Sequence, residues 1–358
     1  MDVIVLVGGE GTRLRPLTYD IPKQMLPVLD RTLVEHVVEW LARGGMRRAV
    51  LSLGYRPDAF IEAFPTDAID GVELVYAVES EPLGTAGAVR FAAEKAGVEG
   101  RFLVLNGDVL TDLDIASLVE FHAAHEAEAS IHLTPVVDPS AFGVVPTDAE
   151  GRVREFVEKP SAGTAPTNLI NAGTYVLEPC VLDLIAAGRP VSIERETFPS
   201  LVAGGKLFAM ASDDYWLDTG TPENYLQAQL DILHGLRTPA SRPNAPEMAT
   251  GAFVASGAVV DGVLSGVGYL GPGALVAAGA ATADSVVGAG AKVLAGAQVS
   301  RSALLPGAVV GEGCVVTDSI VGTGTMLGSG CRLEAMTVLR GGQQVPAGTI
   351  LRGARYPQ

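Results

Sequence analysis

Up to about residue 235, the chain alternates short apolar runs with stretches whose apolar residues recur at helical spacing. Runs rich in Val, Ile and Leu have the length of buried strands and occupy residues 3–7, 49–55, 72–79 and 101–108. Apolar residues three and four positions apart predict helices over 32–45, 85–97 and 115–128. This alternation is typical of a mostly parallel sheet with helices on both faces, in which ligands bind beyond the carboxyl ends of the strands.

A second pattern begins after residues 238–251, a stretch rich in Pro, Ala, Ser and Thr that we predict to be a linker. Apolar residues now recur every six positions, and every third step is five, so the larger period is 17 residues. One such register is Phe253, Leu270, Val287, Leu304, Val321 and Val338. A short repeat with small residues at its bends predicts a triangular β-solenoid, in which stacked coils build the core.

The composition indicates an ordered globular protein, since 48% of the residues are hydrophobic and 18% are charged. The net charge of −16 argues against a nucleic-acid surface, and no stretch of about 20 apolar residues predicts a membrane span. We therefore expect a cytoplasmic protein with neither nucleic acid nor membrane as a partner. Cys314 and Cys331 lie 17 residues apart, so we expect them to stack on successive coils without redox chemistry.

The stretch from Val7 to Val28, VGGEGTRLRPLTYDIPKQMLPV, concentrates glycines and cations in this acidic chain. It follows the first predicted strand, where glycines allow a tight turn whose N–H groups can contact phosphate oxygens. Arg13, Arg15 and Lys23 supply positive charge close by, and this combination suits a polyphosphate ligand. It is not a Walker A motif, because no Gly-Lys-Ser/Thr follows the glycines.

This stretch resembles the signature of the sugar-1-phosphate nucleotidyltransferases, also called nucleoside-diphosphate-sugar pyrophosphorylases, in its pattern GGEGTRLRPLT...PK. Further family motifs follow in order: EPLGTAGAV (81–89), NGDVL (106–110), FGVV (142–145), EFVEKP (155–160), INAGTYV (170–176) and YWLDTGTPENY (215–225). The chain is most similar to the mannose-1-phosphate guanylyltransferase subgroup, in which PLGTAG and runs like SIERETFP (192–199) occur.

The resemblance implies an α/β fold with a Rossmann-like mixed-sheet nucleotidyltransferase domain at 1–237, the linker at 238–251, and a left-handed parallel β-helix of hexapeptide repeats at 252–358. It implies that an oxygen of a sugar 1-phosphate attacks the α-phosphorus of a nucleoside triphosphate and that pyrophosphate leaves. GTP and mannose 1-phosphate are the favoured substrates. The flat, small-residue faces of the solenoid further predict a homo-oligomer, a dimer or higher.

The resemblance also assigns roles to individual residues. The expected catalytic residues are Arg13, Lys23, Asp108 and Asp218, and the two aspartates are the expected ligands of Mg²⁺. The expected nucleotide contacts are Leu6, Gly8, Gly9, Gly11, Thr12, Arg13, Lys23, Glu79, Gly84, Thr85 and Asp108. The expected sugar-phosphate contacts are Gly143, Glu158, Lys159, Asn171 and Gly173.

Other activities stay open at this point. Gln24 stands where the guanylyltransferase-like signature has proline, and the pair Lys23-Gln24 resembles thymidylyltransferases. The chain could therefore be a glucose-1-phosphate thymidylyltransferase, or a guanylyltransferase that acts on a cyclitol or modified sugar phosphate. Hexapeptide acyltransferases usually need a histidine base, yet all five histidines precede the solenoid. A non-catalytic homologue is disfavoured because every expected catalytic residue is present.

Overall fold

The structure is a computed structural model that describes residues 1–357, so Gln358 of the predicted β-helix domain lies outside the described residues. The chain forms two compact units. We call Met1–Gly9 together with Val37–Trp216 the sheet unit, and Glu10–His36 together with Leu217 onward the solenoid unit. The domain boundaries at residues 237 and 252 rest on the sequence pattern and stay a prediction.

Strands and helices alternate through the first part of the chain, as its apolar pattern predicts. The helices are α1 (Leu33–Arg43), α2 (Asp58–Ala63), α3 (Gly84–Ala96), α4 (Ile115–Ala124), α5 (Phe198–Ala203) and α6 (Pro222–Leu233). The strands are β1 (Asp2–Leu6), β2 (Pro27–Val28), β3 (Arg31–Thr32), β4 (Arg48–Leu53), β5 (Ala68–Ile69), β6 (Val72–Val78), β7 (Phe102–Asn106), β8 (Val109–Thr111), β9 (Ala129–Pro135), β10 (Gly143–Val144), β11 (Val157–Glu158), β12 (Leu169–Leu177), β13 (Leu207–Ala211) and β14 (Trp216–Asp218).

The sheet unit is built on one mixed sheet with the strand order β11-β10-β12-β7-β1-β4-β6-β5, in which β9 and β13 continue from β12. Strands β7, β1, β4 and β6 run parallel, whereas β12 runs antiparallel to β7. The order reverses at β1, because β4 pairs on one side of β1 and β7 pairs on the other. Such a reversal creates a crevice at the carboxyl ends of the strands, where ligands of α/β sheets bind.

The core of the sheet unit lies between this sheet and the helices that cover it. Helix α3 contacts β1, β4 and β6, and it buries small residues such as Ala86 and Ala92, which let it approach the strands closely. Elsewhere in this core, the rings of Tyr175 and Phe198 meet edge to face with centroids 5.1 Å apart. Both side chains are fully buried, so the antiparallel strand β12 is fixed to α5 by aromatic packing.

His132 on β9 makes the stability of the sheet unit depend on pH. Its side chain is fully buried and its Nε2 lies 2.8 Å from Ser212 Oγ. Burial lowers the pKa of His132 to about 4, against a smaller opposing effect of Asp214. The unfolded chain therefore takes up a proton at higher pH than the folded chain, and the contribution to stability is full above about pH 6.5 and is lost as the pH falls towards 4.

We expect urea unfolding to show this loss as a decrease of about 3 kcal/mol in the free energy of unfolding, at about 1.4 kcal/mol per pKa unit. His132→Gln removes the titrating group, so the free energy of unfolding should depend less on pH between pH 6.5 and 4. The slope should correspond to about one proton fewer taken up on unfolding. The control is His234→Gln, which makes the same substitution at an exposed position and whose slope is compared with that of His132→Gln. An equal slope in wild type and His132→Gln would contradict the assignment.

The solenoid consists of short strands that pair in parallel with the strand one coil away. These strands are β15 (Ala252–Val254), β16 (Val259–Val260), β17 (Val263–Leu270), β18 (Leu275–Val276), β19 (Ala281–Val287), β20 (Lys292–Val293), β21 (Gln298–Ser300), β22 (Ala303–Leu304), β23 (Val309–Val310), β24 (Val315–Thr317), β25 (Ile320–Val321), β26 (Met326–Leu327), β27 (Arg332–Glu334), β28 (Val338–Leu339), β29 (Gln344–Val345), β30 (Ile350–Arg352) and β31 (Arg355–Tyr356). Fourteen of them form three rows, β16-β18-β20-β23-β26-β29, β21-β24-β27-β30 and β22-β25-β28-β31, whereas β15, β17 and β19 pair in succession and β19 pairs with both β21 and β22. Three rows of parallel strands confirm the predicted solenoid and are consistent with a left-handed β-helix.

The predicted 17-residue register holds in the middle of the solenoid and is wrong at both ends. Leu270, Val287, Leu304 and Val321 pair in succession at 17-residue steps. Phe253, however, pairs with Tyr269, and Val321 pairs with Leu339 instead of Val338. The pairing between Val316 and Leu333 keeps the 17-residue step, so Cys314 and Cys331, both buried in the same core, stack as predicted.

The change of register near the end has a visible cause at one corner of the coil. Asp284, Arg301 and Asp318 occupy this corner at 17-residue steps, each with a positive φ of 43–45°. In the next coil, Ala335 and Met336 both have positive φ, 54° and 58°, so this corner holds one more residue. The extra residue moves the following strand by one position, which a pattern of apolar residues does not reveal.

A ladder of buried serines lines the same corner. Ser302 N donates to Ser285 Oγ (3.2 Å), and Ser319 N donates to Ser302 Oγ (3.1 Å). Each serine hydroxyl donates in turn to the carbonyl oxygen two residues earlier, at 2.7 Å. The hydroxyls of Ser285 and Ser302 both donate and accept, and that of Ser319 donates, so each buried hydroxyl of the ladder has a hydrogen-bond partner. Among the described residues, none of the helices is long and apolar enough to span a membrane.

Candidate active site

The sheet unit places its predicted site residues along one edge of the sheet, on neighbouring strands. Leu6 at the end of β1 is aligned with Asn106 at the end of β7. Gly173 in β12 adjoins Asn106, since a Cβ on Gly173 would lie 2.5 Å from Asn106 Nδ2. Gly143 in β10 is aligned with Glu158 in β11. The row therefore runs from the reversal point at β1, where α/β sheets bind ligands, to the outer strands β10 and β11, and it joins a predicted nucleotide contact to the predicted sugar-phosphate contacts.

Close backbone contacts shape the loops at the reversal point. Gly107 N donates to Leu6 O (3.0 Å), and a Cβ on Gly107 would lie 2.4 Å from Val7 Cγ1. Gly8 faces the loop after β4, because a Cβ on Gly54 would lie 3.1 Å from Gly8 O. Glycine is thus needed for the contact between strand ends, and the exposed Gly8 and Gly9 remain accessible to a ligand. Asp108 follows Gly107 directly and is half-buried.

Glu79 and Thr85, which are predicted to contact the nucleotide, also make hydrogen bonds within the protein. The carboxylate of Glu79 accepts from Ser52 Oγ and from Leu83 N, both at 3.0 Å. The Thr85 hydroxyl donates to Glu194 Oε2 and accepts from Ile193 N, both at 2.8 Å. These bonds join the EPLGTAGAV motif to the SIERETFP motif. The predicted contacts of Glu79 and Thr85 with the nucleotide stay predictions.

The backbone conformation of Gly84 also allows the close contact between the EPLGTAGAV and SIERETFP motifs. It begins α3 with a φ of +69°, which favours glycine, and a Cβ there would lie 2.7 Å from Val191 O. Val191 in turn accepts from Ala86 N and donates to Leu83 O. Residues 193–197 form a π-helix, a rare element that is frequent at functional sites. The EPLGTAGAV and SIERETFP motifs are therefore packed and hydrogen-bonded to each other within the sheet unit.

Among the predicted sugar-phosphate contacts, Glu158 and Lys159 lie next to Gly143. A Cβ on Gly143 would lie 3.0 Å from Glu158 Oε2 and 2.7 Å from the Phe156 ring, so glycine leaves space for that carboxylate. Lys159 Nζ lies 3.7 Å from Glu158 Oε1, and 62% of its side chain is exposed. An exposed ammonium beside a carboxylate can bind a phosphate and hydroxyl groups at adjacent positions, as the resemblance predicts.

Asn171 and Gly173 lie at an irregularity of β12. The register between β12 and β9 shifts between Asn171 and Tyr175, and such bulges often re-aim side chains next to active sites. Asn171 Nδ2 donates to the Tyr175 hydroxyl (2.9 Å), while Asn171 Oδ1 accepts from Gly173 N (3.0 Å). Gly173 has a φ of +78°, which the bulge requires. The side chain of Asn171 is therefore held in one orientation at the predicted sugar site.

The solenoid unit contains the rest of the predicted nucleotide site, in the segment Glu10–His36, which we call the signature segment. Gly11 has a φ of +62° and starts a short 3₁₀ turn, Thr12–Leu14. A Cβ on Gly11 would lie 3.1 Å from Lys23 Cβ, so the Lys23 side chain packs against the Gly11 backbone. Thr12 and Arg13 are exposed and Lys23 is half-buried. The conformation of Gly11 thus brings Lys23 close to the turn that carries Arg13.

Arg13 also meets the predicted metal ligand Asp218 within the solenoid unit. Arg13 Nη2 lies 3.6 Å from Asp218 Oδ2, and the two side chains are 61% and 19% exposed. Gly220 N donates to Asp218 Oδ1 at 2.7 Å, which fixes the carboxylate. The pair holds an exposed guanidinium beside an oriented carboxylate, as the binding of a phosphate and a cation at adjacent positions requires.

Gly220 is required next to this pair, because a Cβ there would lie 2.5 Å from Arg13 Nη2 and 2.7 Å from Asp218 Oδ1. We expect Gly220→Ala to displace both side chains and to lower kcat/KM by about 10²-fold, the scale of a misplacement of about 1 Å. Steady-state kinetics with thermal unfolding would check this. The control is Gly100→Ala, since a Cβ on Gly100 meets nothing within 4 Å. Activity of Gly220→Ala equal to that of Gly100→Ala would contradict the expectation.

The family model described as nucleotidyl transferase matches residues 2–235, and the model described as GMPPB C-terminal domain matches residues 265–356. The chain belongs to the nucleotidyl transferase family. It is 41% identical to mannose-1-phosphate guanylyltransferase from Mycobacterium tuberculosis over 76% of this chain and 77% of that protein. It is 40% identical to probable mannose-1-phosphate guanylyltransferase 3 from Oryza sativa over 80% of this chain and 79% of that protein.

Among solved structures, this nucleotidyltransferase is similar to HddC from Yersinia pseudotuberculosis complexed with GMP-PN. The TM-score is 0.54 and the identity is 31%, over 64% of this chain and 97% of that chain. The family matches confirm the mixed α/β fold and the nucleotidyltransferase class that the sequence predicts. The roles of individual residues stay predictions.

Some residues that shape the site were not predicted from the sequence. Asn106, Tyr175, Glu194 and Gly220 contact predicted site residues, yet no role was assigned to them. All four lie inside the family motifs, Asn106 in NGDVL, Tyr175 in INAGTYV, Glu194 in SIERETFP and Gly220 in YWLDTGTPENY, so their position in a motif was a usable signal. Gln24, which departs from the guanylyltransferase-like signature, is only 1% exposed.

Proposed function

We propose that this nucleotidyltransferase transfers GMP from GTP to mannose 1-phosphate, giving GDP-mannose and pyrophosphate. The observation that supports the proposal most strongly is the identity of about 40% to proteins named mannose-1-phosphate guanylyltransferase across three quarters of both chains. The row of residues at the reversal point of the sheet suits the two phosphorylated substrates. The SIERETFP motif, which is joined to EPLGTAGAV through Thr85 and Glu194, supports the same subgroup.

The proposed reaction is a single displacement. An oxygen of the sugar phosphate attacks the α-phosphorus of GTP, and the bond from that phosphorus to the bridging oxygen of pyrophosphate breaks. Because both substrates are anions, the protein has to offset their repulsion and align them. In this proposal the amides of Gly8, Gly9 and Gly11 bind the triphosphate, Arg13 and Lys23 stabilise its charge, and Lys159 binds the phosphate of the sugar.

Hydroxyl recognition in this proposal uses the sugar-phosphate side of the sheet. Glu158 and Asn171 present a carboxylate and an oriented amide there, and Gly143 and Gly173 leave space for the side chains of Glu158 and Asn106 beside them. Amide and carboxylate groups in fixed orientations distinguish hydroxyl patterns, since a mismatched hydroxyl leaves a polar group without its partner. We therefore expect these residues to affect KM for the sugar phosphate more than KM for GTP.

Mg²⁺, which the family resemblance implies, fits the donors that this proposal assigns to it. Asp108 and Asp218 offer carboxylate oxygens, which this hard cation prefers, and phosphates and waters complete its coordination. Asp218 Oδ2 already faces a positive group, the Arg13 guanidinium at 3.6 Å. When bound, Mg²⁺ would neutralise phosphate charge and polarise the α-phosphoryl group. Asp108 and Asp218 would hold it, and Arg13 would move its contact from Asp218 to phosphate.

The experiment is a release assay for pyrophosphate, with GTP, dTTP, ATP and UTP each paired with mannose 1-phosphate, glucose 1-phosphate and a cyclitol phosphate. We expect the highest kcat/KM for GTP with mannose 1-phosphate. Preference for dTTP with glucose 1-phosphate would replace the proposal with a thymidylyltransferase. Preference for GTP with the cyclitol phosphate would keep the nucleotide and change the acceptor.

We further propose that the protein is a cytoplasmic homo-oligomer. Support for self-association comes from apolar side chains exposed on the solenoid, including Val263 at 61% and Ile350 at 72%. Size-exclusion chromatography with light scattering should give at least twice the chain mass of 37.0 kDa. A mass of one chain would refute this part of the proposal.

A further inference from the structure

The signature segment is anchored by residues that come much later in the chain. It groups with the solenoid unit, although it directly follows the first strand of the sheet unit. Leu29 N donates to Gln229 Oε1 (3.4 Å), and Asn244 N donates to Asp30 Oδ2 (2.9 Å). Tyr225 also donates its hydroxyl proton to Pro27 O. The segment with the predicted phosphate-binding cations is therefore part of the packing of the solenoid unit.

One of these anchors comes from the β-helix itself. Arg340 directly follows β28, near the end of the solenoid. Its Nε donates to Asp20 Oδ2 at 2.8 Å and its Nη2 donates to Asp20 Oδ1 at 2.6 Å. This is a bidentate pair of a guanidinium and a carboxylate, which fixes the relative orientation of the two groups as well as their distance. Asp20 lies in the chain between Arg13 and Lys23.

Tyr19 extends the contact of Arg340 towards Arg15. The guanidinium of Arg340 lies 5.2 Å from the Tyr19 ring centroid, and that of Arg15 lies 5.4 Å from it. Arg15 also pairs with Glu10 at 3.0 Å. We call Arg15, Tyr19, Asp20 and Arg340 the clasp. Through cation–π contacts and ion pairs, the clasp holds the stretch that joins the turn with Arg13 to the turn with Lys23.

The clasp contributes little to global stability. Arg340 and Asp20 are 36% and 58% exposed, and exposed ion pairs stabilise folded proteins weakly. Its geometry nevertheless restricts the segment, because two parallel hydrogen bonds and a stacked ring define one arrangement. A catalytic group has to be placed within a fraction of an ångström. Such support can therefore raise the rate of catalysis without raising the free energy of unfolding.

We propose that Arg340 is a positioning residue through which the β-helix holds the signature segment in the conformation that binds the nucleoside triphosphate. The expected effect on KM for GTP rests on the proposed function. The expected effect on the conformation of the signature segment rests only on the contacts of the clasp. This role of Arg340 gives the β-helix a part in turnover that goes beyond association between chains. Any binding event that moved the coil of Arg340 would change KM for the nucleotide, since the two are coupled through the clasp.

The test compares Arg340→Met with a matched control. Arg301→Met removes a similar exposed pair of the same solenoid, Arg301 Nε to Asp318 Oδ1 at 2.8 Å, which does not include the signature segment. Hydrogen exchange over residues 12–26 and steady-state kinetics are measured for both variants. We expect Arg340→Met to speed exchange in this segment about tenfold and to raise KM for GTP about fivefold, with an unchanged melting temperature. Arg301→Met should change neither.

Three further variants test whether the effects come from the pair of Arg340 and Asp20. Asp20→Asn should reproduce the effects of Arg340→Met, and the double variant should be no worse than either single variant, because all three break the same pair. Arg340→Lys keeps the charge but loses the bidentate geometry, so it should give an intermediate increase in KM. Unchanged exchange in Arg340→Met, or an equal effect of Arg301→Met, would overturn the proposal. Absent turnover in the wild type would refute the proposed function, while the exchange data would still decide on the clasp.

Discussion

Asp218→Asn is expected to lower kcat by about 10³-fold, because a neutral amide cannot replace a carboxylate that is proposed to hold Mg²⁺ at the reacting phosphates. The folded structure should persist. Asp218 is partly exposed, and an asparagine Oδ1 can still accept the hydrogen bond from Gly220 N. KM for GTP should change far less than kcat, since most of the lost interaction belongs to the transition state. Steady-state kinetics over a range of Mg²⁺ concentrations would measure both.

The control for Asp218→Asn is Asp318→Asn. Asp318 also pairs with an arginine in the solenoid unit, at 2.8 Å from Arg301 Nε, so its substitution matches the change in charge and pairing. We expect Asp318→Asn to retain the activity of the wild type. Asp218→Asn with more than about a tenth of the activity of the wild type would contradict the assigned role. A response to Mg²⁺ identical to that of the wild type would contradict it as well.

Lys23→Met is the second substitution with a large expected effect, a decrease of about 10²-fold in kcat. The ammonium of Lys23 is proposed to stabilise the charge on the α-phosphate during attack, and fixed charges at such positions account for much of the rate enhancement of enzymes. Lys23 is half-buried and packs against Gly11. A methionine of similar length should therefore keep the packing and remove only the charge.

Lys292→Met, on the exposed side of β20, is the matched control for this charge change. It should leave kcat, KM and the melting temperature unchanged. Single-turnover kinetics would separate the chemical step from substrate binding in Lys23→Met. If Lys23→Met instead raised KM for GTP with kcat unchanged, Lys23 would bind the ground state only, and its assignment as a catalytic residue would be wrong.

The sequence predicted the elements of the sheet unit well where apolar runs are long. The runs at 72–79 and 101–108 became β6 and β7, within a few residues. The antiparallel strands of the sheet were harder to predict from the pattern of apolar residues. Strand β12 is fully or partly buried along its length and contains a bulge, so its residues show neither clear alternation nor an uninterrupted apolar run. The mixed character of the sheet came from the family resemblance.

The solenoid shows a different limit. Its period of 17 residues was readable because one buried residue repeats in each coil, and Val287, Leu304 and Val321 confirm it. The deviations at the ends arise from corner conformations, such as the two positive φ angles at Ala335 and Met336. Corner residues are partly exposed and vary in type, so hydrophobic periodicity carries no information about their number.

The candidate site was predictable as a set of motifs but not as a set of contacts. Motif order identified Gly143, Glu158 and Asn171, and the structure places them on neighbouring strands of one sheet edge. The grouping of the signature segment with the solenoid depends on pairs such as Asp20 and Arg340, which are 320 residues apart. Charged side chains this far apart give no local pattern, so only the three-dimensional structure reveals that they meet.

The stereochemical course at phosphorus tests the central claim most directly. The enzyme would be supplied with the Sp diastereomer of GTP carrying sulfur on its α-phosphorus, together with mannose 1-phosphate and Mg²⁺. The configuration of the resulting GDP-mannose analogue would then be determined by ³¹P NMR. Direct attack by the sugar phosphate predicts one displacement and hence inversion at this phosphorus. Retention would require a second displacement through a nucleotidylated protein side chain and would contradict the account.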